Sequence, residues 1–496
     1  MSDAFIALAV PALLLFSALF ILLFGFSSYY NKNRGYYITL TTLFITFCIS
    51  VNGVGDIHSA ELLPQLFNAM VIYDTFSATF ISLFLLGGFL SLAIAKSFID
   101  QTNFFTHESF VLFLFSLFGM VVLTMANELL TAFIALEIAS MSVYVLVGLN
   151  KESLRASEAF FKYLLLGSFS ASFYLLGMML IYAQAKSTHL NVIAAYILNH
   201  DLNSQLLIIA GGMLIIITIM FKIAALPFGA WVLDVYEGAS LPITAYMATV
   251  FKIAVFAFTI RVFLKNNDLI QLVFDPLIVI GAVITMIGGS LLAVIQNSVK
   301  KMLAASSVVH SGYLMIALAS IEDADSSASS AIIFYLFAYF ISAIGAFGVL
   351  SYISKGTDKL ISFDDLNGLG KNTPIIAVSL TIFMLSLAGF PSTIGFIGKF
   401  YIFTSAIESG YTLLALFGAI TAFISIYYYF KVIVHLYFKE SAYVKVEYGY
   451  RVSLAFIITA AFIVLWGGVG TSLILNIPGI NELYELSKHA IQSLNF

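Results

Sequence analysis

The chemistry in this sequence is carried by a few ionisable residues set among apolar ones: Glu137, Lys162, Lys222, Lys252, His310 and Lys399. Glu137 lies nine positions after Glu128 and fourteen before Lys151. On a helix rising 1.5 Å per residue this is roughly 13 Å deep, near the middle of a ~30 Å hydrocarbon layer. A charge there costs at least about 2.5–3.5 kcal/mol, so it needs a partner, a hydrated cavity or a neutral form, and such groups usually mark ion or proton paths. The alternative is an ion pair that only holds two helices together. Lys222 and Lys399 stand at or beside interruptions in their apolar runs, where water can enter. An amine in apolar surroundings can release its proton near neutral pH, which makes it a switchable carrier; as a counterion to carbonyls freed at a break it would be structural. Lys252, twelve positions after Ser240, is similarly deep and could pair with Glu137. His310 is nine positions past Lys301, with Ser306 and Ser307 one turn before it. Imidazole titrates near pH 6.5, which suits a relay, and a neutral histidine bonded to a serine fits equally. Lys162, four positions past Glu158, could snorkel to the interface. Asp74 reads as a helix-start carboxylate. The 48 phenylalanines and 26 tyrosines read as lipid-facing bulk and interface anchors, with no function assigned.

The elements that must position these groups follow from composition. Of 496 residues 61% are hydrophobic and 10% charged, against roughly 25% charged in a soluble domain, which excludes a water-soluble fold. Solidly apolar runs such as Ala9–Phe24 lack the alternation of a β-barrel strand. The net charge of −4, with no basic block, gives no support to nucleic-acid binding. One cysteine, Cys48, excludes an intrachain disulfide, a cysteine-rich metal site and the usual four-cysteine iron–sulfur ligation. The fold expected is an all-α polytopic membrane protein of about fourteen helices, from 4–26 to 452–475, including 129–149, 205–231, 240–264, 302–320 and 374–407. Leu202–Leu233 and Pro374–Ile407 are too long for one straight helix and contain Pro227 and Gly389-Phe390-Pro391. Each reads as a helix broken inside the membrane, which survives only where protein or a water-lined cavity satisfies the freed backbone. They are the seventh and twelfth spans, so spans 4–8 and 9–13 would form two inverted five-helix repeats, an architecture of secondary transporters. The segments expected are 1–107, 108–264, 265–438 and 439–496.

The start, Met1-Ser2-Asp3, has no basic residue before the first apolar run, which reads as a retained helix. Fourteen basic residues, among them Lys32, Arg34, Lys300, Lys301, Lys355, Lys359 and Lys445, fall on one side, and Lys186, Arg261, Lys265 and Lys488 on the other. This bias puts both termini outside. There is no P-loop, no dinucleotide-binding turn and no cysteine cluster. The energy source must then lie in a partner or an ion gradient.

The runs Ala135-Leu136-Glu137-Ile138-Ala139-Ser140, Ala156-Ser157-Glu158-Ala159-Phe160-Phe161-Lys162-Tyr163, Asp234-Val235-Tyr236-Glu237-Gly238-Ala239 and Leu385-Ser386-Leu387-Ala388-Gly389-Phe390-Pro391 resemble the subunit N family of bacterial NADH–quinone oxidoreductase, respiratory complex I. The similarity extends from about Glu108 to Tyr437. The resemblance implies an antiporter-like subunit that helps pump protons in the bacterial inner membrane, without a redox centre or cofactor of its own. Quinone, FMN and iron–sulfur clusters would belong to partner subunits, and related antiporter-like subunits would be neighbours in the bilayer. It also implies that Glu137, Lys162, Lys222, Lys252 and Lys399 match the family's helix-5 glutamate and the lysines of helices 6, 7, 8 and 12. A subunit of a multisubunit cation–proton antiporter, or a non-pumping scaffold, are the other readings.

Overall fold

The computed structural model describes residues 2–25, 32–54, 67–201, 204–265, 273–321, 327–354, 356, 361–440, 450–470 and 479–494. Lys355, Lys359 and Lys445 lie outside the described residues. Among the described residues twelve helices are long and apolar enough to cross a membrane. They include α1 (Ser2–Gly25), α2 (Lys32–Asn52), α3 (Thr75–Gln101), α4 (His107–Met125), α5 (Leu129–Val147) and α6 (Leu154–Ala185). A short helix, α7 (Leu190–Leu198), precedes the first broken span, made of α8 (Leu206–Lys222) and α9 (Val232–Gly238). There follow α10 (Leu241–Leu264), α11 (Asp275–Val294), α12 (Val299–Ala319) and α13 (Ser327–Ile353). The second broken span is α14 (Pro374–Ala388) with α15 (Ile394–Glu408); α16 (Thr412–Tyr437), α17 (Arg451–Val469) and the short α18 (Ile480–Gln492) complete the series. The two sequence stretches expected to break are thus the two that fold as half-helices.

Burial separates a centre from a rim. The apolar window of α12 is 100% buried, that of α13 94% and that of α10 89%, whereas α1 is 28% and α17 33% buried. The central helices carry the small and hydroxyl side chains that let helices approach and bond in lipid, as in the run Ala304-Ala305-Ser306-Ser307 of α12. Crossings depend on missing side chains: where α6 meets α8, a Cβ on Gly177 or on Gly211 would run into the other's carbonyl.

Two buried features were not expected. Met247–Phe251 of α10 is one turn of π-helix, directly before Lys252, and such a bulge turns the residues that follow it onto a new face. Arg261, expected among the basic residues outside the membrane, is fully buried. Its two terminal nitrogens donate to Asp74 Oδ2 and Oδ1 at 2.9 and 3.0 Å, and one also to Ser77 Oγ. Asp74 does begin α3, accepting from the Ser77 amide at 2.7 Å, and it also joins α3 to α10.

Candidate buried charge relay

Lys222 is the last residue of α8. Its Nζ donates to Ser140 Oγ at 2.7 Å and Tyr144 OH at 3.0 Å, and lies 3.7 Å from Glu137 Oε1. The three partners come from one face of α5, because positions 137, 140 and 144 are three and seven residues apart. Gly167 of α6 leaves room for the Tyr144 hydroxyl, which a Cβ there would strike. Glu137 Oε1 is buried and accepts no hydrogen bond from the described residues, so the Lys222 ammonium is its main compensation.

Beyond Lys222 the chain unwinds, and a carbonyl of the break, that of Ile223, accepts from Ser311 Oγ at 2.7 Å. Ser311 in turn accepts from Lys252 Nζ at 2.8 Å, and Lys252 also donates to the Ser307 carbonyl at 2.8 Å. Hydrogen bonds therefore lead from the first break to Lys252 through α12. The pairing of Lys252 with Glu137 allowed by the sequence does not occur: Lys252 meets hydroxyls and carbonyls, and no carboxylate among the described residues lies within 4 Å of it.

His310 sits on the same helix between Ser307 and Ser311. Its Nδ1 is 2.5 Å from Tyr335 OH and its Nε2 3.1 Å from Tyr429 OH, so tyrosines bond the ring rather than the serine considered from sequence. A neutral imidazole donates through one nitrogen and accepts through the other, and hydroxyls can answer either arrangement. Tyr313 stands edge-on to His310 with ring centroids 5.7 Å apart, and its face lies 5.2 Å from Lys399 Nζ. Lys399 donates to the Leu387 and Ala388 carbonyls at 2.8 and 3.0 Å, closing the end of α14 from the other side of the break. These tyrosines are deeply buried, which corrects their reading as bulk and anchors.

Lys162 is apart from this row. It is 41% exposed and bonds Glu158 and Asp234, each at 2.7 Å. With Arg155 and Glu237 these residues line a cleft of about 160 Å³ beside α9. Lys301 pairs with Glu237 at 2.5 Å and Lys300 donates to the Glu237 carbonyl, so α9 is tied to the start of α12. Among the described residues no group of three or more His, Cys, Asp or Glu could hold a metal ion.

Residues 126–425 match the family described as NADH:quinone oxidoreductase/Mrp antiporter, TM. The chain is 37% identical over 435 residues to NADH-quinone oxidoreductase subunit N of Trichlorobacter lovleyi, covering 87% of this chain and 88% of that one. It is 37% identical over 416 residues to the subunit N of Campylobacter fetus, covering 83% and 86%. Among solved structures, a chain of respiratory complex I from Thermus thermophilus with bound aureothin superposes with a TM-score of 0.74 at 25% identity, covering 93% of this chain and 97% of that one. A chain of the Mrp complex from Dietzia sp. shares the fold, with a TM-score of 0.82 at 18% identity over 99% and 97%. The chain belongs to the NADH-quinone oxidoreductase subunit N family of antiporter-like, polytopic membrane proteins.

Proposed function

We propose that this chain is the antiporter-like subunit of an NADH–quinone oxidoreductase, moving protons along Glu137, Lys222, Lys252, His310 and Lys399 while quinone is reduced in other subunits. The observation that carries the reading is the hydrogen-bonded sequence from the Lys222 break through Ser311 to Lys252, continued on α12 by His310. A proton enters by the charged cleft, where Lys162 with Glu158 and Asp234 orders the mouth, and reaches the Glu137–Lys222 pair. At separations of a few ångströms a unit charge is worth several kcal/mol at an effective dielectric of about 20, so changing one member's charge biases the next. His310 passes a proton by accepting at one ring nitrogen and releasing at the other, held by Tyr335 and Tyr429. Lys399 receives it and releases it to the opposite side.

On this reading the cleft faces the cytoplasm, both termini face outward from a bacterial inner membrane, and 108–264 and 265–438 are the inverted repeats between 1–107 and 439–496. FMN, iron–sulfur clusters and quinone reside in partner subunits, with related antiporter-like subunits beside this one. The test is pumping by the assembled complex in liposomes. Lys222→Ala and Glu137→Ala should each lower protons moved per NADH, and an unchanged stoichiometry in both would remove the proposed roles. Isolation in mild detergent should bring flavin and iron–sulfur proteins; their absence would point to a gradient-driven cation–proton antiporter.

A further inference from the structure

Lys222 has two unlike surroundings. Toward α5 and α9 lie Glu137, Ser140, Tyr144 and the charged cleft. On its other side, along the N-terminal part of α8, is a cavity of about 60 Å³ lined by aliphatic and aromatic side chains and one glycine. Ile208, Ile215 and Lys222 recur every seven residues, two helical turns, so the cavity lies beneath the lysine on its own helix face. Thr218, the nearby polar residue of α8, turns its hydroxyl to the Ser170 carbonyl at 3.0 Å. A short, largely apolar helix roofs the space: Leu190, Ile193 and Ile197 of α7 face it, while Leu198 on the outer side is 70% exposed. The roof is anchored where the Leu190 amide donates to the Asn127 carbonyl and Thr188 Oγ1 to Glu128 Oε1.

We infer that this chamber and its α7 roof are the insulating barrier that keeps Lys222 in proton exchange with the cleft side only. The inference rests on the proposed role of Lys222. The cavity is large enough for water, which needs roughly 10–15 Å³, but a water held there also needs 2–4 polar partners, and among the described residues the lining supplies none, which favours a dry space. A dry apolar segment stops protons because no hydrogen-bonded chain can form across it and a bare charge is prohibitively costly there. The barrier acts by polarity rather than by close packing.

The test uses the assembled complex in liposomes with a pH-sensitive dye inside and no substrate. Ile193→Asn and Ile215→Asn give the chamber a polar partner and should raise passive proton entry at least about tenfold by letting it hydrate. Ile193→Ala and Ile215→Ala enlarge it without polarity and should leave entry unchanged. Equal leak in the Ala and Asn variants, or none in assembled Asn variants, overturns the inference. Xenon pressurisation of crystals of the unaltered complex gives an independent reading: xenon in the chamber supports a dry cavity, and ordered water there overturns it. Adding Lys222→Ala to Ile193→Asn separates the two layers. Leak that disappears supports the inference as stated. Leak that persists leaves the chamber a barrier but removes Lys222 as the group it insulates, and with it the inference.

Discussion

The two broken helices end their first halves alike and hold their lysines differently. In the first, the Ala225 amide reaches back to the Met220 carbonyl at 2.8 Å across Ala224, whose φ is +61°. In the second, the Phe390 amide reaches the Leu385 carbonyl at 2.9 Å across Gly389, whose φ is +84°. Both are the six-residue closure with a left-handed residue that ends many helices. Lys222 belongs to the half before its break and faces a carboxylate. Lys399 belongs to the half after its break and donates back to the carbonyl end of the half before it. A carboxylate can change its charge, whereas carbonyls at a helix end present a fixed partial negative charge. The first lysine can therefore be switched by its partner, and the second only by altering its own proton or its distance from the break.

The largest effect should come from removing that switchable partner. Glu137→Gln keeps shape and hydrogen-bonding capacity but leaves the Lys222 ammonium buried among neutral groups. Losing one member of a buried pair costs about 3–5 kcal/mol, enough to cut turnover-coupled pumping more than about tenfold. Protons moved per NADH by the reconstituted complex are the measurement, and near-normal values would show that Ser140 and Tyr144 suffice for Lys222. Among the described residues no carboxylate pairs with Lys399, so the matching change at the second break is in geometry. Gly389→Ala forces a side chain into a left-handed conformation, at about 1–2 kcal/mol. Its Cβ would also lie 3.0 Å from Lys399 Cδ and 3.3 Å from Nζ. Pumping should fall several-fold with assembly retained, checked by the yield of intact complex.

The contrast between the breaks was only half legible in the sequence. Run lengths and proline are one-dimensional signals, and a charge in an apolar run is conspicuous, so the broken spans and the buried Glu and Lys residues could be found without coordinates. Ser140 and Tyr144 were also within reach, since they repeat from Glu137 at helical spacing. Other partners had no local sign. Tyr335 and Tyr429 come to His310 from two other helices, 25 and 119 positions on, and nothing in the 26 tyrosines distinguishes them. Arg261 and Asp74 are separated by 187 positions. The π-helical turn before Lys252 has no composition signature. Lys162 carried two signals: its place in a matching motif groups it with the buried lysines, while its position four residues past Glu158 fits the exposed cleft it occupies.

Ser311 probes the link between the first break and Lys252. The hydroxyl accepts from Lys252 and donates to Ile223, so Ser311→Ala removes a partner from both at once. A buried polar group left unpaired costs about 1–3 kcal/mol. The Ser307 carbonyl still holds Lys252, which caps the loss. Pumping should drop by a factor of a few, less than for Glu137→Gln, and Ser311→Thr, which restores a hydroxyl, should recover part of it. Full activity in Ser311→Ala would mean that the two lysines communicate without this bond.

The smallest effect is expected at the residue that makes the two closures chemically unequal. Ala224 adopts the left-handed conformation that Gly389 takes without strain, and an L side chain there costs about 1–2 kcal/mol. Ala224→Gly relieves that strain but frees the unfolded chain as well, by roughly 0.5–1 kcal/mol. The net gain is at most about 1.5 kcal/mol, seen as a small rise in the thermal midpoint of the purified complex. Pumping should stay near normal, because the Ile223 carbonyl and the Lys222 side chain both precede the altered residue. If pumping instead falls while stability rises, the alanine is there to hold the break open against relaxation, and the first site would then depend on stored backbone strain that the glycine of the second site cannot supply.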